Sequence, residues 1–444
     1  MGLFSFLHRP GSFALWWRTG RLSQHLLWLA CMAGVAGLLA SRALVALSPV
    51  AGVVAALANP HVRQELPRWL RLRTVWPPLL LYLLLVVSGV YTQQLDIWRH
   101  ELFRQLPWLG VPLAFGLAVP LTGRQRFSVG VFFVLGTAAV GAATVAQYLL
   151  NPAAANHAFG TGQSMPSVTR IFHIHFGLML ALATFFGLLL RRERWARAWL
   201  RGALLAAAIL CGLTLHVLAY RTGLLVLYAG LLLNSLLLLL VQRKVWLGLG
   251  LLGLLAGVPW IAYQSLESVR QRVEATTYDL VRFQRGEDIN QFSLARRLAA
   301  WQTASVVIRQ QPWLGTGPAD VHAAMMQQYS WRSYGLRPEN RAMVHNQYLH
   351  ALVAGGVVGL SLWLLALLGP LVQPGLRSSP YVYHFLLVQA TAMLVDSLLE
   401  MQIGFNLFVF LYGFLIVARE RQLRARFYSA CASLRRPGLK RTFV

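Results

Sequence analysis

The residues of this sequence best suited to chemistry are arginines and histidines at the edges of long apolar runs. Arg221 stands in Tyr220-Arg221-Thr222-Gly223, a tight connection between two such runs. A guanidinium there has almost no loop in which to escape and is costly without a partner. A diphosphate headgroup, which its planar fork of donors can grip, is a good one. Arg170 stands just before another run, with His173 and His175 after it; either arginine could instead snorkel to the interface. His345 lies in Val344-His345-Asn346-Gln347-Tyr348-Leu349-His350, where a long polar stretch re-enters apolar sequence. A neutral imidazole there can take a proton from a hydroxyl near physiological pH, and Asn346 could orient ring or substrate. His322 and His350 read as satisfied interfacial histidines.

Other common catalytic devices are missing. The sequence has no P-loop, HExxH, GxSxG or CxxC pair, and Gly160-Thr161-Gly162 is too short to carry meaning. Glu287-Asp288 are adjacent in a polar stretch, and Asp396 and Glu400 are one turn apart at the outer end of an apolar run. Both pairs read as solvated or paired with an arginine, so neither a metal nor a cofactor is expected. Cys31, Cys211 and Cys431 are too scattered for a metal site or a disulfide framework.

The elements that must position these residues are set by composition. Of 444 residues, 57% are hydrophobic and 12% charged, against about 25% charged in soluble domains, and mean hydropathy is +0.54. This excludes a cytosolic enzyme and implies an all-α polytopic membrane protein. Apolar runs fall near 23–41, 43–58, 76–92, 105–121, 127–149, 172–190, 202–219, 222–241, 245–262, 346–369, 380–396 and 402–418. The expectation is therefore about 12 transmembrane helices, nine in 1–262 and three in 346–418, with a polar cap at 263–345 and a basic tail at 419–444. Twelve spans put both termini on one side. With that side cytoplasmic, it receives 25 of the 40 basic residues but only 3 of the 14 acidic ones, from Arg9 near the start to Arg441 at the end. The formal charge of +26 is thus mainly a topology signal, and no nucleic-acid partner is expected. The first apolar run reads as a signal anchor. Trp28, Trp76, Trp108, Trp199, Trp246 and Trp260 lie near run ends, as an interfacial belt would.

Within the cap, helices are expected over 266–283, 293–311 and about 320–328. The first would present Leu266, Val269, Val273 and Leu280. The second would be capped by Ser293, carry an apolar stripe of Leu294, Leu298, Trp301 and Ile308, and end at Pro312. It brings Arg297 and Trp301 onto one face at i and i+4.

At these residues the sequence resembles the O-antigen ligase and polymerase superfamily of bacterial membrane glycosyltransferases. Three matches carry the resemblance. They are Arg221-Thr222-Gly223 opening a leucine-rich run; Arg297-Leu298-Ala299-Ala300-Trp301 followed by Pro312-Trp313-Leu314-Gly315-Thr316-Gly317; and His345-Asn346 followed by Leu349, Gly355-Gly356 and Gly359. Their order and spacing, over about residues 200 to 365, give the combination its specificity. The resemblance implies a GT-C-like fold in the inner membrane, with a large periplasmic helical loop and both termini cytoplasmic. It implies inverting, metal-independent transfer of a glycan from undecaprenyl diphosphate to an acceptor. Carried over, His345 would be the general base, and Arg221 and Arg297 would hold the diphosphate. Adjacent Arg296 leaves the register open by one; Arg297 is preferred because it stands four before Trp301. Arg170, Arg296, Trp301, Asn346 and Arg341 are the further candidates for substrate contact. An O-antigen ligase, with the lipid A core oligosaccharide as acceptor, is the preferred reading. An O-antigen polymerase and a protein O-oligosaccharyltransferase share the chemistry. A lipid-linked oligosaccharide flippase is the rival of another class; it would favour ionisable groups at the midplane and two related halves, and neither is evident.

Overall fold

The computed structural model describes residues 12–160 and 163–434. Arg9, Thr161, Gly162 and the end of the basic tail lie outside the described residues. Among those described, the regular elements are helices, with no strand. Eight helices are long and apolar enough to cross a membrane: Arg21–Ala40, Gly123–Leu150, His173–Leu190, Ala198–Val217, Arg221–Val241, Val245–Ser265, Gln347–Val372 and Gln402–Phe427.

The difference from twelve has a physical reason. A span needs roughly 20 residues, and four of the apolar runs are cut by helix breakers into shorter helices. Arg42–Leu57 bends by 114° into Val62–Leu70, a pair that would make a ninth span if counted as one. Trp76–Ser88, Pro107–Leu117 and Pro380–Ala392 have 13, 11 and 13 residues. They start at or beside prolines, where a missing N–H costs nothing, and this fixes their beginnings.

His173–Leu190 is the most enclosed span, 78% buried, and Val245–Ser265 the least, at 11%. Gly123–Leu150, Ala198–Val217, Arg221–Leu236 and Pro380–Ala392 all pack on His173–Leu190. The start of Arg221–Leu236 comes close to it because Gly177 and Gly223 meet there. A Cβ on Gly223 would lie 3.0 Å from the Gly177 Cα. Of the expected belt, Trp76, Trp199, Trp246 and Trp260 are exposed, but Trp108 is buried against Trp363, Phe405 and Phe408.

The cap contains helices Glu267–Arg285, Ser293–Gln310 and Val321–Trp331, close to the expected bounds. Their faces differ from expectation. Ser293–Gln310 buries Ala295, Ala299, Ala300, Thr303, Ala304 and Val307, while Leu294, Leu298, Trp301 and Ile308 are half-buried. Small side chains let this helix sit closely on Met325, Tyr329 and Val353 in a core separate from that of the spans. Glu267–Arg285 is turned the other way: Val273 and Leu280 are exposed, and its buried residues are Ser268, Arg272 and Asp279. Its polar side faces the arginine-rich junction between cap and membrane.

The segment after Ser293–Gln310 locks the cap to the spans. Gln347–Val372 is broken at Gly356 (φ 59), and Pro312–Gly317 inserts at the break. The amides of Thr316 and Gly317 donate to the carbonyls of Val353 and Ala354, and those of Val357 and Val358 to Pro312 and Trp313, at 2.8 to 3.2 Å. Backbone groups freed by the break are thereby satisfied. A Cβ at Gly356 would lie 2.3 Å from the Trp313 backbone.

Candidate active site

Arg221 is the first residue of its helix, directly after Ala219 (φ 47) and Tyr220. Its Nη1 donates to Thr276 Oγ1 at 3.1 Å and its Nη2 to Ser293 Oγ at 2.9 Å. The guanidinium thus bridges the first two cap helices from a helix N-terminus, where the backbone dipole adds to its positive field. Ser293 is therefore an acceptor for Arg221 and not the expected cap. That role falls to Asp279, whose Oδ2 accepts from the Leu294 amide at 2.7 Å.

Arg297 is half-buried, one turn into Ser293–Gln310. Burial, together with Arg296 beside it, lowers the pKa of its guanidinium, against the pull of Asp396. Arg296 turns to Asn340, with Nη1 3.2 Å from its Oδ1. His173 lies within the electrostatic reach of Arg221, Arg272, Arg297 and Asp396 together, which marks the common space of the cluster.

His345 joins the cluster through Asp396, whose charge acts on both Arg297 and His173. It has a left-handed backbone (φ 46), a conformation that costs a non-glycine residue roughly 1–2 kcal/mol and is held only where the surroundings require it. Its Nδ1 donates to Asp396 Oδ1 at 2.9 Å, while the imidazole remains 39% exposed and the carboxylate 9%. Burial alone would raise the Asp396 pKa. The hydrogen bond from His345 and the charges of His345, Arg297 and His175 outweigh it and hold the carboxyl below its usual range. An imidazole tied at Nδ1 to a carboxylate has Nε2 free to accept a proton, with the resulting charge stabilised from behind.

Asp396 lies outside any helix, in the connection 393–401 between Pro380–Ala392 and Gln402–Leu411. The start of Gln347–Val372 grips this connection. Asn346 caps its own helix with Oδ1, accepting from Tyr348 and Leu349, and its Nδ2 donates to the Leu394 carbonyl. Gln347 Oε1 accepts from the Leu399 amide, and His350 Nε2 meets Glu400 Oε1 at 2.9 Å. Arg104 adds a bond to the Leu399 carbonyl at 2.8 Å. These bonds hold the connection on both sides of Asp396, and Asn346 is engaged in them.

The structure gathers Arg221, Arg297, His345 and neighbouring Arg296 at one junction. Trp301 and Arg341 are half-buried, each with a side-chain nitrogen, Nε1 and Nε, lacking a protein partner. Arg170 is exposed in a turn with φ 59, and no described contact joins its side chain to the cluster. Among the described residues, no group of three or more His, Cys, Asp or Glu side chains comes together to hold a metal ion.

Two participants escaped the sequence reading. Asp396 had been read as solvated or arginine-paired, and its pairing across 51 residues to His345 leaves no local pattern. Arg272 is one of ten basic residues in the cap sequence. It is buried, with Nη2 bonded to the Gln163 carbonyl and Ser164 Oγ, and its guanidinium is 4.9 Å from the Phe159 ring. Burial and the nearby Arg221 pull its pKa down to about 9. The signal available was its spacing, seven residues before Asp279, which puts both on the buried face.

A comparison with known families falls on this same architecture. Residues 206–364 match the family model described as O-antigen ligase. This stretch is shared with that family. It begins before Arg221 and ends after Gly356, so it holds both arginines, the cap and His345; Asp396 lies beyond it. The resemblance read from the three motifs is borne out over a little more than a third of the chain. The O-antigen ligase family groups glycosyltransferase-like membrane enzymes of the ligase and polymerase type. No curated protein matches the chain.

Proposed function

We propose that the protein is an O-antigen ligase that transfers a glycan from undecaprenyl diphosphate to a sugar hydroxyl of the lipid A core oligosaccharide. The observation that carries the reading is the His345–Asp396 pair facing two half-buried arginines at the junction of cap and membrane. His345 Nε2 takes the proton of the acceptor hydroxyl. The acceptor oxygen attacks the anomeric carbon of the donor sugar from the face opposite the diphosphate, forming the new glycosidic bond with inversion. The bond from that carbon to the diphosphate oxygen breaks, and undecaprenyl diphosphate leaves with the electron pair. Arg221 and Arg297 hold its negative charge, each charge-assisted hydrogen bond contributing roughly 1.5 to 3 kcal/mol. General-base catalysis contributes about 10²- to 10⁴-fold. Arg297 suits this role better than Arg296 because it faces Asp396, whereas Arg296 is engaged with Asn340.

In this reading the cap is periplasmic, the arginine-rich loops and both termini are cytoplasmic, and the bilayer is the inner membrane. Arg341, Trp301 and Arg170 would contact substrate outside the reacting centre.

The test uses purified protein in liposomes with lipid-linked glycan and lipid A core acceptor, read by gel mobility. Acceptor-dependent product that survives EDTA and is lost in His345→Ala supports the ligase and its base. Arg221→Lys should recover little of the activity lost in Arg221→Ala, because a single ammonium lacks the bidentate fork. Lengthening of the lipid-linked glycan without acceptor would mean a polymerase, and robust turnover by His345→Ala would remove the base assignment.

A further inference from the structure

A second site lies on the opposite side of the bundle, near the arginine-rich loops. A cavity of about 300 Å³ opens between Arg21–Ala40, Gly123–Leu150, the end of His173–Leu190 and the final helix. Its depth is apolar, with Val35, Val129, Phe133, Phe186 and Leu190 each no more than 5% exposed. Its mouth is basic, carrying Arg126, Arg194 and Arg419.

The cations are only partly satisfied by protein. Arg126 Nη1 donates to Gln422 at 2.7 Å, but its Nε is buried with no partner. Arg419 gives only its Nε, to the Gly375 carbonyl at 2.9 Å. The Arg194 guanidinium is 4.6 Å from the Trp195 ring. Glu193, the one carboxylate in the lining, already accepts from the Tyr381 hydroxyl at 3.2 Å. Three arginines and one carboxylate leave an excess of positive charge at the mouth of a largely apolar cavity. Basic pockets between membrane helices bind anionic lipid headgroups by this combination, and partial burial keeps such charges from being screened by salt.

We propose that this cavity holds an anionic phospholipid of the bilayer, with its phosphate among Arg126, Arg194 and Arg419 and one acyl chain against Phe133 and Leu190. The proposal is independent of glycan transfer, since it rests on residues at the far end of the spans from His345.

The experiment is native mass spectrometry of delipidated full-length protein in detergent, with phosphatidylglycerol or phosphatidylcholine of the same acyl chains added. The expected result is one phosphatidylglycerol retained per protein at lipid concentrations where phosphatidylcholine is lost. Arg126→Gln with Arg419→Gln should lower that phosphatidylglycerol occupancy at least fivefold, and Leu415→Trp, which fills the lining, should lower it as well. If the double variant does not survive purification, Arg194→Gln, an exposed side chain, should at least halve the occupancy. Equal retention of the two lipids, or undiminished phosphatidylglycerol binding by the arginine variants, would overturn the proposal.

Discussion

In the proposed mechanism His345 and Asp396 divide one task between two residues that sequence treats very differently. A histidine at the point where polar sequence re-enters an apolar run stands out, as do arginines with no loop around them. A carboxylate near the end of an apolar run is ambiguous until the chain folds, because its partner is fixed by how Gln347–Val372 and the 393–401 connection meet. The proposed role of Asp396 is to hold the His345 ring by Nδ1 and to offset the charge that develops on it. Asp396→Asn preserves the size of the side chain but removes that charge and permits the wrong tautomer. It is expected to lower kcat by roughly 10²- to 10⁴-fold while leaving the donor KM within a few-fold, since the arginines proposed to bind diphosphate are unaltered. Steady-state kinetics on both variant and parent test this, and a loss confined to KM would assign Asp396 to binding instead.

At the scale of elements, the helices of the cap were legible and their faces were not. Periodicity located Ser293–Gln310 to within a residue. It favoured the leucine and tryptophan stripe over the alanine face because large apolar side chains dominate any hydrophobicity pattern, whereas close packing in this cap selects small ones. The glycines of Gly355-Gly356 were visible as part of a motif, but only the structure explains them. Gly356→Ala would require a side chain at φ 59 with its Cβ against the Trp313 backbone. It should cost roughly 2 kcal/mol or more and uncouple the cap from the spans, seen as a lower melting temperature together with lost activity. Gly253→Ala, within Val245–Ser265, is the control, since a Cβ there meets nothing within 4 Å; equal effects would refute the interlock. The 393–401 connection gives a pH test. Glu400 is partly exposed, and His350 and Arg104 beside it hold its pKa down to about 2. A depressed carboxylate stabilises the fold above its unfolded value of about 4.3 and loses that contribution as pH falls toward its folded value. The melting-temperature gap between parent and Glu400→Gln should therefore be wider at pH 5.5 than at pH 3.5. A gap unchanged at pH 3.5 would show that Glu400 acts by packing and not by charge.

For the whole molecule, charge and apolarity carry different information. Apolar runs find every segment that avoids water but cannot tell a span from a short buried helix, because Pro and Gly break helices without lowering hydropathy much. Twelve runs therefore become eight long helices and several shorter ones, and parity alone cannot orient the chain. The charge asymmetry is less sensitive to this error. Arg191 to Arg201 form one cluster between two long spans, and the cap carries half of the 14 acidic residues. If short basic loops stay in the cytoplasm, the cap and His345 face the periplasm, where a lipid-linked glycan would be delivered. With Cys31, Cys211 and Cys431 replaced, Gln284→Cys in the cap and Arg192→Cys in the basic loop, both at exposed positions, report the two sides. A membrane-impermeant maleimide should label the cap cysteine in intact spheroplasts and the loop cysteine only after lysis. The reverse pattern would put His345 on the cytoplasmic face and exclude transfer onto a periplasmic acceptor, however well the site is built for it.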